Sequence, residues 1–273
     1  MTTRSTDLPD YKQPPVSEVA FSYQYQQDIP NFSMAHAGRF WAELAGEFPH
    51  LTEAPPIQAK REAMDGTLGE VTVEMSDLPP PRRIQLAHRS EGWLLQFQPD
   101  RFILNWRQNA PDAEYPRFGP CYERFLNYRT QFEGFCADAG LKVPAPNQYE
   151  LTYVNHVDKG EFWNSLEQIG SIFPDLAWRG EREFLGVPKV LSWSAAFDMP
   201  ESAGRLHASV KLARRKSDNK ELLILELTAR GFINDSNATT EKDWFLLGRE
   251  WIVRGFADLT HMDIQNQVWG RIS

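Results

Sequence analysis

An order of hydrophobic periods that occurs twice constrains this chain more than any other feature. Val19, Phe21, Tyr23 and Tyr25 alternate with Ala20, Ser22, Gln24 and Gln26, the period of two expected of a half-buried strand. After Pro30-Asn31, Ser33 is placed to cap a helix carrying Ala37, Phe40, Trp41, Leu44 and Phe48, which Pro49 ends. The proline-rich and acidic stretch from Thr52 to Pro81 reads as connecting material around a short strand from Glu70 to Met75. Three alternating runs follow, 83–89, 93–98 and 102–107, and read as an antiparallel meander. A long helix opens at Gly119-Pro120, bears Phe125, Tyr128, Phe132, Phe135 and Cys136, and stops at Gly140.

The same order restarts at Gln148. Tyr149, Leu151, Tyr153 and Asn155 alternate with Glu150, Thr152, Val154 and His156, and a short helix is expected over Phe162, Trp163, Leu166 and Ile169. Strands are expected at 191–199, 206–215 and 222–230, and a last helix, capped by Thr240 and Asp243, bears Trp244, Leu247, Trp251, Ile252 and Phe256. The pattern predicts an α+β fold: duplicated β-α-β-β-β-α units forming one continuous antiparallel sheet with helices packed on one face. Residues 1–16 read as a loosely ordered arm, 17–140 as the first unit and 141–273 as the second, within one compact domain. The face away from the helices must be curved, closed, covered by loops or exposed as a saddle. Gln96, Gln98, Asn105, Arg107, His207, Ser209, Lys211, Arg215, Glu226, Thr228 and Arg230 are expected on it, where a partner would dock.

Composition narrows the function. With 29 Lys+Arg against 37 Asp+Glu the net charge is -8, which disfavours non-specific attraction to nucleic acid or anionic lipid. The longest apolar run, 222–225, is interrupted at Glu226, so no membrane span is expected. A start without an apolar core and a mean hydropathy of -0.50 point to a cytoplasmic protein. Cys121 and Cys136 fall on one helix about 22 Å apart and read as buried thiols.

Catalytic signatures are missing. The six histidines are dispersed, with neither HExxH nor His-x-His spacing, so neither a metal nor a cofactor is expected. No phosphate loop, dinucleotide glycine motif or nucleophile elbow occurs, and no carboxylate near Asp198, Glu221 or Glu226 sits in Glu-x-Lys spacing. His156, beside Asn155 and Asp158 at a strand end, is the best acid/base candidate. Arg117, entering the long helix after Tyr115-Pro116, reads as a clamp on Asp112 or Glu114, or as an anion contact. Asn155 breaks an otherwise apolar strand face and needs buried partners or a ligand. Lys211, Arg214, Arg215, Lys216 and Lys220 gather at one hairpin with Trp193 on a neighbouring strand, a pattern able to reach phosphates and stack on bases.

Short motifs in fixed order carry a further resemblance: Pro15-Val16-Ser17-Glu18-Val19, Gln98-Pro99-Asp100-Arg101, Asn105-Trp106-Arg107, Tyr115-Pro116-Arg117-Phe118, Tyr153-Val154-Asn155-His156, Leu259-Thr260 and Trp269. From about Pro14 to Trp269 the chain resembles a sporadically distributed prokaryotic family of roughly 250-residue proteins of unknown function. The resemblance brings no catalytic assignment; it implies a prokaryotic cytoplasmic protein, and scattered occurrence suits accessory, mobile or defence-linked genes. The leading expectation is a non-enzymatic recognition protein that offers its sheet face or an edge to a protein partner. The alternatives are a nucleic-acid binder using the 211–220 hairpin and a small-ligand pocket protein. The residues expected to bind are Asn105, Arg107, Arg117, Tyr153, Asn155, His156, Lys211, Arg214 and Arg215.

Overall fold

Strands whose side chains alternate apolar and polar can bury one face only by pairing edge to edge and laying that face under helices. The computed structural model, which describes residues 7–58, 60–62, 82–110, 113–178, 183–233 and 240–273, does this. In the first half lie β1 (Val16–Tyr25), α1 (Met34–Leu44), β2 (His50–Ala54), β3 (Arg83–Ala87), β4 (Trp93–Gln98), β5 (Arg101–Arg107) and α2 (Phe118–Asp138). The second half has β6 (Pro146–Asp158), β7 (Ser192–Asp198), β8 (Gly204–Arg214), β9 (Glu221–Gly231), α3 (Glu241–Leu259) and α4 (Met262–Gln267), with 3₁₀ turns at Leu166–Ser171, Pro174–Leu176 and Pro200–Ser202.

The sheet is antiparallel, nine-stranded and open, in the order β2-β3-β4-β5-β1-β6-β9-β8-β7. The two strands that open the halves lie side by side at its centre, Phe21 opposite Leu151 and Tyr23 opposite Tyr149. Over this seam Phe125 of α2 and Phe245 of α3 both reach Phe21, at ring distances of 5.4 and 5.5 Å. Arg129 ties the same helices together, donating to Glu241 and to the Tyr23 hydroxyl at 2.7 Å each. One core therefore runs under both halves. Thr240 caps α3 by accepting from the Asp243 amide at 3.2 Å, as its sequence position suggests.

Three expectations need amending, and a fourth falls outside the described residues. β2 forms inside the stretch read as connecting material; as the exposed edge of the sheet it has no apolar alternation to reveal it. The expected short strand from Glu70 to Met75 lies outside the described residues. The helix expected over 162–169 is only a 3₁₀ turn, capped by Ser165 and succeeded at once by the Pro174 turn, with Gly170 packed against Ala177. The arm expected to be loose is fastened from Asp10 onward. Lys12 and Gln13 donate backbone bonds to Gly270 and Trp269 at 3.0 Å, Ile272 donates to Asp10 at 2.8 Å, and buried Tyr11 packs edge-on against Phe256 and Trp269.

Candidate functional site

The strap from Pro9 to Val16 roofs a cavity of about 270 Å³ between the sheet and α3. Its apolar wall is a helical stripe: Ile252, Val253 and Phe256 follow Arg249 at spacings of three, four and seven. Leu227 and Val16 complete that wall from the sheet. Polar groups enter from three directions. Tyr153 and Asn155 project from β6 on the helix side, Tyr115 and Arg117 come from the loop before α2, and Arg249 comes from α3.

The Tyr115 and Tyr153 hydroxyls are 2.8 Å apart, so one phenol donates to the other and a proton is left over for a guest. Burial pushes both phenols up, well out of the physiological range, so they act as neutral donors. Asn155 is 2 % exposed; its amide nitrogen donates to the Leu225 carbonyl at 3.2 Å, and the residue lines the cavity. Arg117 sits at the α2 N-cap with φ of 70°, a strained setting for a residue with a Cβ. It is held there by an ion pair to Asp10 at 2.9 Å and a bond to the Tyr11 carbonyl at 3.0 Å. Arg117 is therefore the buckle of the strap, and its partner is Asp10 rather than Glu114, while Asp112 lies outside the described residues. Arg249 differs: its guanidinium lies over the Phe118 ring at 5.2 Å, and no carboxylate among the described residues pairs with it. Its charge nonetheless acts on both phenols.

Of the residues expected from sequence to bind, Arg117, Tyr153 and Asn155 meet here. His156 does not, because consecutive residues of a strand point to opposite faces. It lies on the other side of the sheet beside Arg215, with its pKa lowered by burial first and then by that guanidinium. Asn105 and Arg107 share that face with Glu18. Asn105 accepts from Gln96 at 2.6 Å and donates to Glu18 at 2.5 Å, extending a ladder that begins at Gln85. Further along, Glu62 is clamped by Arg205 at 2.9 Å and His207 at 2.7 Å, with Arg230 at 3.9 Å.

The hairpin is less basic in space than in sequence. Arg214 pairs with Glu221 at 3.0 Å, and Arg215 pairs with Asp158 at 2.5 Å and Asp218 at 3.2 Å. Lys211 lies on the polar face and Trp193 on the helix side, so the aromatic group does not share a face with Lys211. Among the described residues no group of three or more His, Cys, Asp or Glu is placed to hold a metal ion, and no helix is long and apolar enough to cross a membrane.

Arg249 and Tyr115 join the site without being among the residues expected from sequence to bind. A signal for the first existed: an arginine heads an apolar i, i+3, i+4, i+7 stripe, where a charge is otherwise out of place.

No family model and no curated protein matches the chain. Among solved structures it is similar to DynU16, a protein of the dynemicin biosynthetic locus, at 13% identity, over 88% of this chain and 97% of that one, with a TM-score of 0.26. A likeness that weak assigns neither fold nor function.

Proposed function

We propose that this chain binds a small amphipathic acid head-first in the pocket beneath the N-terminal strap. The observation that carries the reading is Arg249, a cation without a carboxylate partner among the described residues, set beside two neutral phenols and the Asn155 amide at one end of an apolar wall. A carboxylate head satisfies the guanidinium fork and the spare phenolic proton, while its body lies on Ile252, Val253 and Phe256. The site holds no nucleophile with an adjacent base, so binding rather than turnover is the activity that the geometry supports. Calorimetric titration with medium-chain and aromatic carboxylates tests it. Saturable binding that Asn155→Leu and Arg249→Leu both weaken supports the reading, and binding indifferent to both refutes it.

Recognition of a protein partner through the polar sheet face is the second reading, and one observation favours it. Gln98 donates to the Ile57 carbonyl and accepts from the Ile57 amide, both at 2.9 Å, and Gln148 accepts from the Glu62 amide at 2.8 Å and donates to the Lys60 carbonyl at 2.6 Å. Side-chain amides on this face thus grip backbone groups of Ile57, Lys60 and Glu62 as a strand would. Pull-down from nuclease-treated lysate is the test: a partner lost in the Gln98→Ala, Gln148→Ala double variant supports it, and one retained by that variant refutes it. Cytoplasmic residence and a role in an accessory or defence-linked system are proposals that rest on the sequence resemblance and composition alone.

A further inference from the structure

We infer a second ligand site on the opposite face of the sheet: an oxyanion site built by Arg83 and Arg101, serving a polar small molecule that carries a phosphoryl or carboxylate group. The cavity there measures about 380 Å³ and is floored by β3, β4, β5, β1, β6 and β9. It is separate from the pocket under the strap, whose groups project from the other side of the same strands.

Three buried donors carry the argument. Arg101 is 3 % exposed and Ser22 is 5 % exposed, yet among the described residues Arg101 Nε and Ser22 Oγ meet no hydrogen-bond partner, and Arg83 Nε is likewise buried and unmet. All three residues line the cavity. Buried donors are ordinarily satisfied, because leaving one unmet forfeits its hydration for nothing. The charge count points the same way. Among the described residues Arg101 pairs with one carboxylate, Glu150 at 3.6 Å, and that carboxylate is already taken by Arg230 at 3.0 Å. Arg83 has no ion-pair partner among the described residues. Among the described residues two guanidiniums therefore share less than one carboxylate; the Arg83 pKa is lowered by burial first and by Arg101 second. An oxyanion between them supplies the missing charge and accepts from the unmet Nε donors.

The rest of the cavity says what the anion is attached to. From this basic end the floor continues through Gln85, Gln96 and Asn105 to Glu18, a line of amide and carboxyl groups suited to hydroxyls rather than to hydrocarbon. The ligand class is thus one that carries hydroxyls beside its oxyanion, although Ile57, Leu94, Ile103 and Val154 also line the cavity.

Inorganic phosphate and acetate, each titrated at constant ionic strength against chloride, test the site by thermal shift and calorimetry. The expected result is a saturable rise in melting temperature with at least one of them, phosphate alone marking a phosphoryl ligand and acetate alone a carboxylate. Arg83→Gln and Arg101→Gln are each expected to weaken binding at least about tenfold, the scale of one charge-assisted hydrogen bond. Both titrations are run in the Arg249→Leu background, so that anion taken up by the strap pocket is not counted, which separates this inference from the proposed function. Arg83 is only partly buried, so Arg83→Gln still reports if Arg101→Gln does not fold. Absence of saturable binding by either anion, or binding that survives both glutamine variants, overturns the inference.

Discussion

Replacing Arg249 with leucine separates charge from packing in the strap pocket. The structure gives the guanidinium two roles, a cation–π contact over Phe118 at 5.2 Å and a positive charge beside the Tyr115 and Tyr153 hydroxyls. Losing the first costs about 0.5–1 kcal/mol at a partly exposed site, and leucine recovers some of that by packing on the same ring. The melting temperature therefore falls by only about 1–4 °C. Losing the second removes a charge-assisted hydrogen bond worth about 1.5–3 kcal/mol, or roughly a 10- to 150-fold loss in affinity for a carboxylate. A neutral primary amide of the same carbon skeleton forfeits far less, since it never drew on the charge. Calorimetry with such an acid and amide pair, on wild type and Arg249→Leu, reads the difference directly. Equal losses for acid and amide, or no loss for either, would refute the assignment of Arg249 as the head-group contact. Because the phenols are pushed up by burial, wild-type affinity for the acid is also expected to stay flat between about pH 6 and 9.

Three further outcomes are expected. Burial pushes the Glu62 carboxyl up, but the hydrogen bonds and charges of His207, Arg205 and Arg230 outweigh it and hold the group below its ordinary 4.5. Its anchoring is therefore present above that pH and lost as pH falls through the lowered value, so amide protection at Ile57 and Glu62 should collapse on acidification, and protection persisting into strong acid would contradict the clamp. Glu18 is the opposite case: burial first, and then Glu226, raise it against the pull of Asn105 and Arg107. Ionising it costs the folded state, so Glu18→Gln should melt higher than wild type at pH 8, with the gap closing below its ordinary 4.5; identical melting at both pH values counts against this. Cys121 and Cys136, both buried and pushed up to about 12, should resist alkylation in the native protein and react only on unfolding, and rapid modification at pH 8 would show the helix packing to be wrong.

The strands were legible where large apolar residues recur at every second position. β1, β4, β5, β8 and β9 announce themselves because Phe21, Leu95, Leu104, Val210 and Leu225 belong to apolar series at every second residue and are followed by Ser22, Gln96, Asn105, Lys211 and Glu226. β2 escaped because both of its faces are largely exposed, and the turn at Leu166 because 3₁₀ and α spacings coincide over so few residues. Alternation also placed the residues of the polar face correctly. What it could not convey was which polar groups meet across the fold. Asn155 and His156 look like one site in sequence and lie on opposite faces, whereas Tyr115, Asn155 and Arg249 come together only because α3 folds back over β6. Local charge also misled at the hairpin, where the carboxylates that neutralise Arg214 and Arg215 include Asp158 from a strand distant in sequence.

The place of β1 at the middle of the sheet also has a history during synthesis. Its partner on one side, β5, is complete at Arg107, but its partner on the other, β6, ends only at Asp158. About fifty residues separate the two events, roughly 3–10 s of translation at ~5–20 residues per second. Throughout that interval a ten-residue strand leaves the ribosome with one row of backbone donors and acceptors unpaired. A nascent chain stalled between those points is the form of this protein most exposed to strand-to-strand association with its neighbours on a polysome.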